Sequence, residues 1–150
     1  MFGTDVSDLA VASNNTTIYA TDRARDKLYR STNAGVTWST VTVIENWSNI
    51  KIDAEHVAVA PDDPNFIAVS GNSTYVFVSD DAGANWDSLG DVNSTTGIDS
   101  IRDISLSAAT GGNHFVAVAG EDGGVAEVSY YEIGAVGAVW TEASAKTGFA

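Results

Sequence analysis

Ser79-Asp80-Asp81-Ala82-Gly83-Ala84-Asn85-Trp86, with its earlier echo Ser31-Thr32-Asn33-Ala34-Gly35-Val36-Thr37-Trp38, decides the reading of this chain. Both octets follow the pattern S-x-[D/N]-x-G-x-x-W, and they stand 48 positions apart. Each follows a short alternating run, Lys27-Leu28-Tyr29-Arg30 in one case and Tyr75-Val76-Phe77-Val78 in the other. Self-similarity at this spacing is the mark of a repeated supersecondary unit. A strand arriving at Ser79 must reverse over about four or five residues to leave at Asn85, a common hairpin length. The Asp or Asn at the third position can bind backbone N–H groups of the turn, and the Gly supplies positive φ without a Cβ clash. The Trp opens the return strand with a large apolar face and one N–H in need of an acceptor. The unit is a hairpin turn joined to a core anchor.

These octets resemble the Asp-box, or BNR repeat, of sialidases, sortilin-type receptors and photosystem assembly factors. In that family the box lies between the third and fourth strands of a β-propeller blade. The resemblance rests on Ser79, Asp81, Gly83 and Trp86, and on Ser31, Asn33, Gly35, Thr37 and Trp38, where Asn33 replaces the usual Asp. It implies a structural role for these residues, and a fold rather than a chemistry.

Working outward from the boxes, the chain divides into three repeats, at about residues 5–44, 54–91 and 100–146. In each, short β-branched and alternating runs alternate with turn residues, as in Pro61-Asp62-Asp63-Pro64-Asn65 and Gly111-Gly112-Asn113. Four strands per repeat are expected, ordered from inner to outer. In the third repeat the box has decayed to Ser129-Tyr130-Tyr131-Glu132-Ile133-Gly134, with extra residues before Trp140. Residues 45–53 and 91–99 read as linkers. No helical pattern of useful length is visible. The expectation is an all-β chain of three four-stranded antiparallel blades. Propellers close with about 4–8 blades, so three make a partial propeller, or half of a six-bladed ring formed by two chains. Self-association, or further blades of a longer chain, is expected from the open blade faces this leaves.

Composition narrows the partners. Twenty acidic and seven basic residues give a net charge of −13, which argues against nucleic acid and anionic membranes. Cysteine is absent, which removes disulfides, thiolate metal sites and thiol nucleophiles. No signal peptide is visible at Met1-Phe2-Gly3-Thr4-Asp5, and no apolar run suits a membrane span. Five Asn-x-Ser/Thr triplets, beginning at Asn14, Asn15, Asn46, Asn72 and Asn93, would suit a glycosylated surface.

The sequence offers no catalytic constellation. A sialidase-like site would need an arginine triad, an Arg-Ile-Pro motif and a Tyr–Glu pair. The chain has only Arg23, Arg25, Arg30 and Arg102, and its prolines follow Ala60 and Asp63. Tyr130, Tyr131 and Glu132 are adjacent, so strand geometry sends neighbours to opposite faces. The acid pairs Asp62-Asp63, Asp80-Asp81 and Glu121-Asp122 read as solvated turn residues. The loop from Asp91 to Gly97 is faintly like a calcium loop, but Arg102 stands where the bidentate acid belongs. His56 and His114, at comparable strand edges, make a weak metal pair. No cofactor or metal is expected, calcium being the one ion left open.

Trp47, in the first linker, and Tyr131 are the candidate ligand or interface residues, because aromatic side chains on a rim can meet sugars or subunits. The expectation is therefore a non-enzymatic scaffold or protein-interaction module at a cell or particle surface. The alternatives are a lectin-like carbohydrate binder and a non-catalytic part of a sialidase-like glycoside hydrolase.

Overall fold

The computed structural model describes residues 5–41, 45–47, 50–51, 53–71 and 73–143, with 45–47 and 50–51 as backbone. It is all-β, with three four-stranded antiparallel sheets in sequence order. The first joins β1 (Val6–Val11), β2 (Ile18–Asp22), β3 (Lys27–Ser31) and β4 (Ser39–Val41). A two-stranded ribbon, β5 (Glu45–Trp47) with β6 (Ile50–Lys51), occupies the segment read from sequence as a plain linker. The second sheet joins β7 (Ala54–Val59), β8 (Ile67–Gly71), β9 (Tyr75–Ser79) and β10 (Asp87–Asp91). The third joins β11 (Ser100–Leu106), β12 (His114–Asp122), β13 (Val125–Ile133) and β14 (Thr141–Glu142).

Each first strand packs beside the next, β1 against β7 and β7 against β11, so the sheets stack face to face about their inner strands. That arrangement is a partial β-propeller, and the sheets are its blades. The period-two alternation explains why they stack. On β8 every residue is buried, because blade two is covered on both faces. Between blades one and two lie Tyr19, Leu28, Val57, Ile67, Val69 and Phe77, with Trp86 packed against them. Between blades two and three lie Val76, Val78, Ile104, Val116, Val118 and Trp140. Polar bonds stitch the same seams: the Tyr19 hydroxyl donates to Pro64 O at 2.9 Å, and Trp140 Nε1 to Leu89 O at 3.0 Å.

Two readings from sequence need correction here. Ser129 to Ile133, taken as a decayed box, is strand: β13 pairs with β12 residue for residue from Val125 to Ile133, and the reversal begins at Gly134, whose φ is +93°. The ladder continues because alternation persists through Glu127, Ser129 and Tyr131. The linker after blade two is partly helical, with a single turn α1 (Asn93–Thr96) ending at Gly97, φ +85°. Thr96 Oγ1 donates to Val92 O at 2.9 Å inside that turn.

Candidate functional site

The two octets fold into the same hairpin turn. In the second, Ser79 is buried, and its Oγ accepts the amides of Gly83 (2.8 Å) and Asp81 (3.3 Å) while donating to Asp81 Oδ1 (2.8 Å). Asp81 Oδ1 also accepts Asn85 N at 2.8 Å, and Oδ2 accepts Asn85 Nδ2 at 2.6 Å. These donors, first of all the Asn85 amide, hold the Asp81 carboxyl down at about 2. In the first turn Ser31 Oγ accepts Gly35 N (2.9 Å) and Asn33 N (3.3 Å) and donates to Asn33 Oδ1 (3.0 Å). Asn33 accepts Thr37 N at 2.8 Å and donates through Nδ2 to Thr37 Oγ1 at 2.8 Å. The Asn33–Thr37 and Asp81–Asn85 pairs therefore solve one geometry with opposite side-chain polarity.

Each turn is also tied to the loop between its blade's first two strands. Ala34 N donates to Thr16 O (2.8 Å) and Ala82 N to Asn65 O (2.9 Å). Ala34 and Ala82 themselves sit at φ +55° and +62°, followed by Gly35 and Gly83 at +87° and +89°. Two left-handed residues in succession make the tight nest that points the amides at the serine.

The tryptophans of the repeat do not share one environment. Trp140 is buried and Trp86 is partly buried against the blade one–two core. Trp38, expected in the core, is likewise only partly buried; its Nε1 donates to its own turn's Gly35 O at 2.9 Å. Trp86 and Trp140 pack in cores shared with the preceding blade, and among the described residues no blade precedes blade one. Tyr131 lies partly buried with its ring 5.4 Å from that of Trp140, while its neighbour Tyr130 takes the exposed face. The side chain of Trp47 lies outside the described residues.

His56 and His114 each lie near the start of a strand, as expected, but at opposite ends of their sheets. His56 is the third residue of the inner strand β7, whereas His114 opens β12, which runs antiparallel to its inner strand. His114 stacks on Phe66 at 4.1 Å, donates from Nδ1 to Ser107 O at 3.0 Å, and has Asp62 Oδ1 at 3.8 Å. Asp62 accepts Ala109 N at 2.8 Å, which holds its carboxyl below the usual range. In the loop from Asp91 to Gly97, Asp91 Oδ1 accepts Thr74 Oγ1 (2.5 Å) and Asn93 N (3.0 Å), and Asp91 O accepts Ser94 Oγ (2.8 Å). Asn14 and Asn93, two of the sequon residues, use their side chains as turn caps.

A cleft of about 490 Å³ opens where the starts of β7 and β11 meet the β2–β3 connection. Arg23, Glu55, His56, Asp99 and Arg102 line it, so two of the four arginines of an acidic chain converge here. Arg23 is steadied by Asp5 (Nε to Oδ2, 3.2 Å) and Arg102 by Glu121. Sequence reasoning missed this cleft, because its residues come from all three repeats and form no motif. The other end of the sheets carries the box turns.

No protein-family model and no curated protein matches the sequence. Solved β-propellers do match the fold. The chain resembles YCF48 bound to D1 peptide (TM-score 0.61, 16% identity), over 92% of this chain and 39% of that one. It resembles a chain of the nidogen/laminin complex (TM-score 0.65, 15% identity), over 93% of this chain and 49% of that one. It also resembles the GH74 xyloglucanase of Xanthomonas campestris (TM-score 0.62, 18% identity), over 94% of this chain and 24% of the enzyme. The chain thus spans less than half the length of each. At these identities the likeness establishes the fold.

Proposed function

We propose that this chain is a non-catalytic interaction module of the propeller type that binds an extended polypeptide segment across the strand-end cleft. The observation that carries this reading is the cleft itself: an open, polar site between three blades, with Arg23, His56 and Arg102 set among Glu55 and Asp99. Alternating charge of this kind suits a peptide backbone with its own acidic and amide groups. The volume lies within the range of about 300–1,000 Å³ usual for ligand sites. YCF48, of similar fold, has been seen with a bound peptide.

Support for a non-catalytic role comes from where the reactive groups fall. Arg30 is bonded to Asn65 at 2.9 Å on the blade one–two seam, away from the cleft. Tyr130 and Tyr131 diverge to opposite faces of β13. The box turns are proposed as structural clips, each fastening a hairpin to the neighbouring loop.

The test is panning of a displayed random-peptide library against the whole chain, with hits measured by fluorescence anisotropy. Hits that weaken by about tenfold or more in Arg23→Glu and Arg102→Glu support the reading. Hits indifferent to both variants, or turnover of a fluorogenic glycoside panel by the chain, overturn it.

A further inference from the structure

Among the described residues, blade one and blade three each keep one sheet face uncovered, and the repeat shows what covers such faces. In blade two, the rows Val57–Val69–Phe77 and Val59–Ile67–Ser79 lie on the face pressed against blade one. The matching rows of blade one are Leu9–Ala20–Tyr29 and Val11–Ile18–Ser31. They end in the same turn, with Trp38 where blade two has Trp86. Yet Leu9 is 58% exposed and Val11 60%. The turn glycines report the same difference. A Cβ on Gly83 would collide with Val41 Cγ1 of the preceding blade, whereas one on Gly35 would meet only its own Trp38 and Ile18, at 3.7 and 3.9 Å.

Blade three is uncovered on the opposite side. Its row Ser105–Ala117–Tyr130 matches Ala10–Tyr19–Arg30 of blade one and Ala58–Ala68–Val78 of blade two, rows that lie on the seam with the following blade. Tyr130 is 39% exposed, with the Phe115 ring 6.3 Å away. The acid one row further on is repeated as well. Asp8 accepts Leu9 N through Oδ1 at 2.7 Å, and through Oδ2 it accepts Val57 N of the next blade at 2.9 Å. Asp103 holds the same register position, and its Oδ1 accepts Ile104 N at 2.9 Å. It repeats the local half of the Asp8 arrangement and is itself exposed.

We infer that these two faces are the halves of one head-to-tail interface, and that a second copy of this chain fills both. Blade three of each copy covers Leu9, Val11 and Trp38 of the other. The contact is heterologous, because it reproduces the blade-to-blade packing already present twice within the chain, and two copies close it. Six blades fall within the range of about 4–8 for closed propellers. The inference concerns a different surface from the cleft and stands independently of what the cleft binds.

The test is solution mass by light scattering over a dilution series, on the whole 15.6 kDa chain and on Leu9→Glu and Tyr130→Glu. Both positions are exposed within one copy, so the single chains keep their fold, which circular dichroism checks. The expected result is twice the chain mass for the wild type. Each variant should dissociate at a concentration higher by on the order of a hundredfold. Mixing the two variants leaves one of the two contacts intact, so a two-chain species absent from either alone should return. A single-chain mass for the wild type at every concentration overturns the inference. So does a dimer weakened by Leu9→Glu but indifferent to Tyr130→Glu, or a mixture that recovers nothing. The measurement contains no ligand, so its failure leaves the cleft reading untouched.

Discussion

Trp140 Nε1 donates to Leu89 O at 3.0 Å, and in doing so joins blade three to the last strand of blade two. The indole is buried in the core between those blades, beside Tyr131. The residue therefore supplies both apolar area and the partner for a carbonyl that the sheet leaves over. Trp140→Phe keeps most of the area and strands Leu89 O, at a cost of about 1–3 kcal/mol. Trp140→Ala should cost about 3–5 kcal/mol. Urea denaturation of the two variants measures both, and equal losses would show that the hydrogen bond carries nothing.

Gly83 and Gly35 share a backbone conformation but not a neighbour. An alanine at either pays the left-handed penalty of about 1 kcal/mol. At Gly83 the new methyl also collides with Val41, adding about 1–3 kcal/mol of overpacking. Denaturation midpoints at low protein concentration should fall further for Gly83→Ala than for Gly35→Ala.

The serine hydroxyl at the centre of each turn serves two amides. Ser79→Ala leaves the amides of Gly83 and Asp81 without their shared acceptor, and Gly83 is buried. A loss of about 1–3 kcal/mol is expected. Ser79→Thr, which keeps the oxygen, should recover part of it in the same unfolding assay.

Acid should distinguish the two turns. The Asp81 carboxyl is held at about 2 when folded, below the usual carboxylate value of about 3.9. A depressed folded pKa contributes stability that is complete above the unfolded value and is lost as pH falls through the folded one. The window therefore runs from about pH 4 down to about pH 2. Asn33 does the same work without a charge. Asp81→Asn should melt lower than wild type at pH 6, and the gap in Tm should close across that window. A gap constant from pH 6 to pH 2 would contradict the assignment.

How much of this was legible beforehand follows from which interactions are local. The octets announced their turns because Ser31, Asn33, Gly35 and Thr37 bind one another within four residues, and the 48-residue spacing announced the blades. Trp38 and Trp86 misled because a residue type fixes an anchor, while the depth of its burial depends on what packs over it. Ser129 to Ile133 misled because a degenerate box and a continuing strand share their residue types, and only the pairing with β12 separates them. The cleft escaped notice for the opposite reason. Arg23, His56 and Arg102 lie far apart in sequence and meet only through the stacking of inner strands.

Amide hydrogen exchange on the dilute wild-type chain tests most directly the central claim, that three blades stack with the middle one covered on both faces. Exchange should be slowest in β8 and β9, at Ile67–Gly71 and Tyr75–Ser79, opening only with the whole fold. Blades one and three should exchange faster from their uncovered sides. Uniform protection across all three sheets, or a middle blade that opens first, would contradict it.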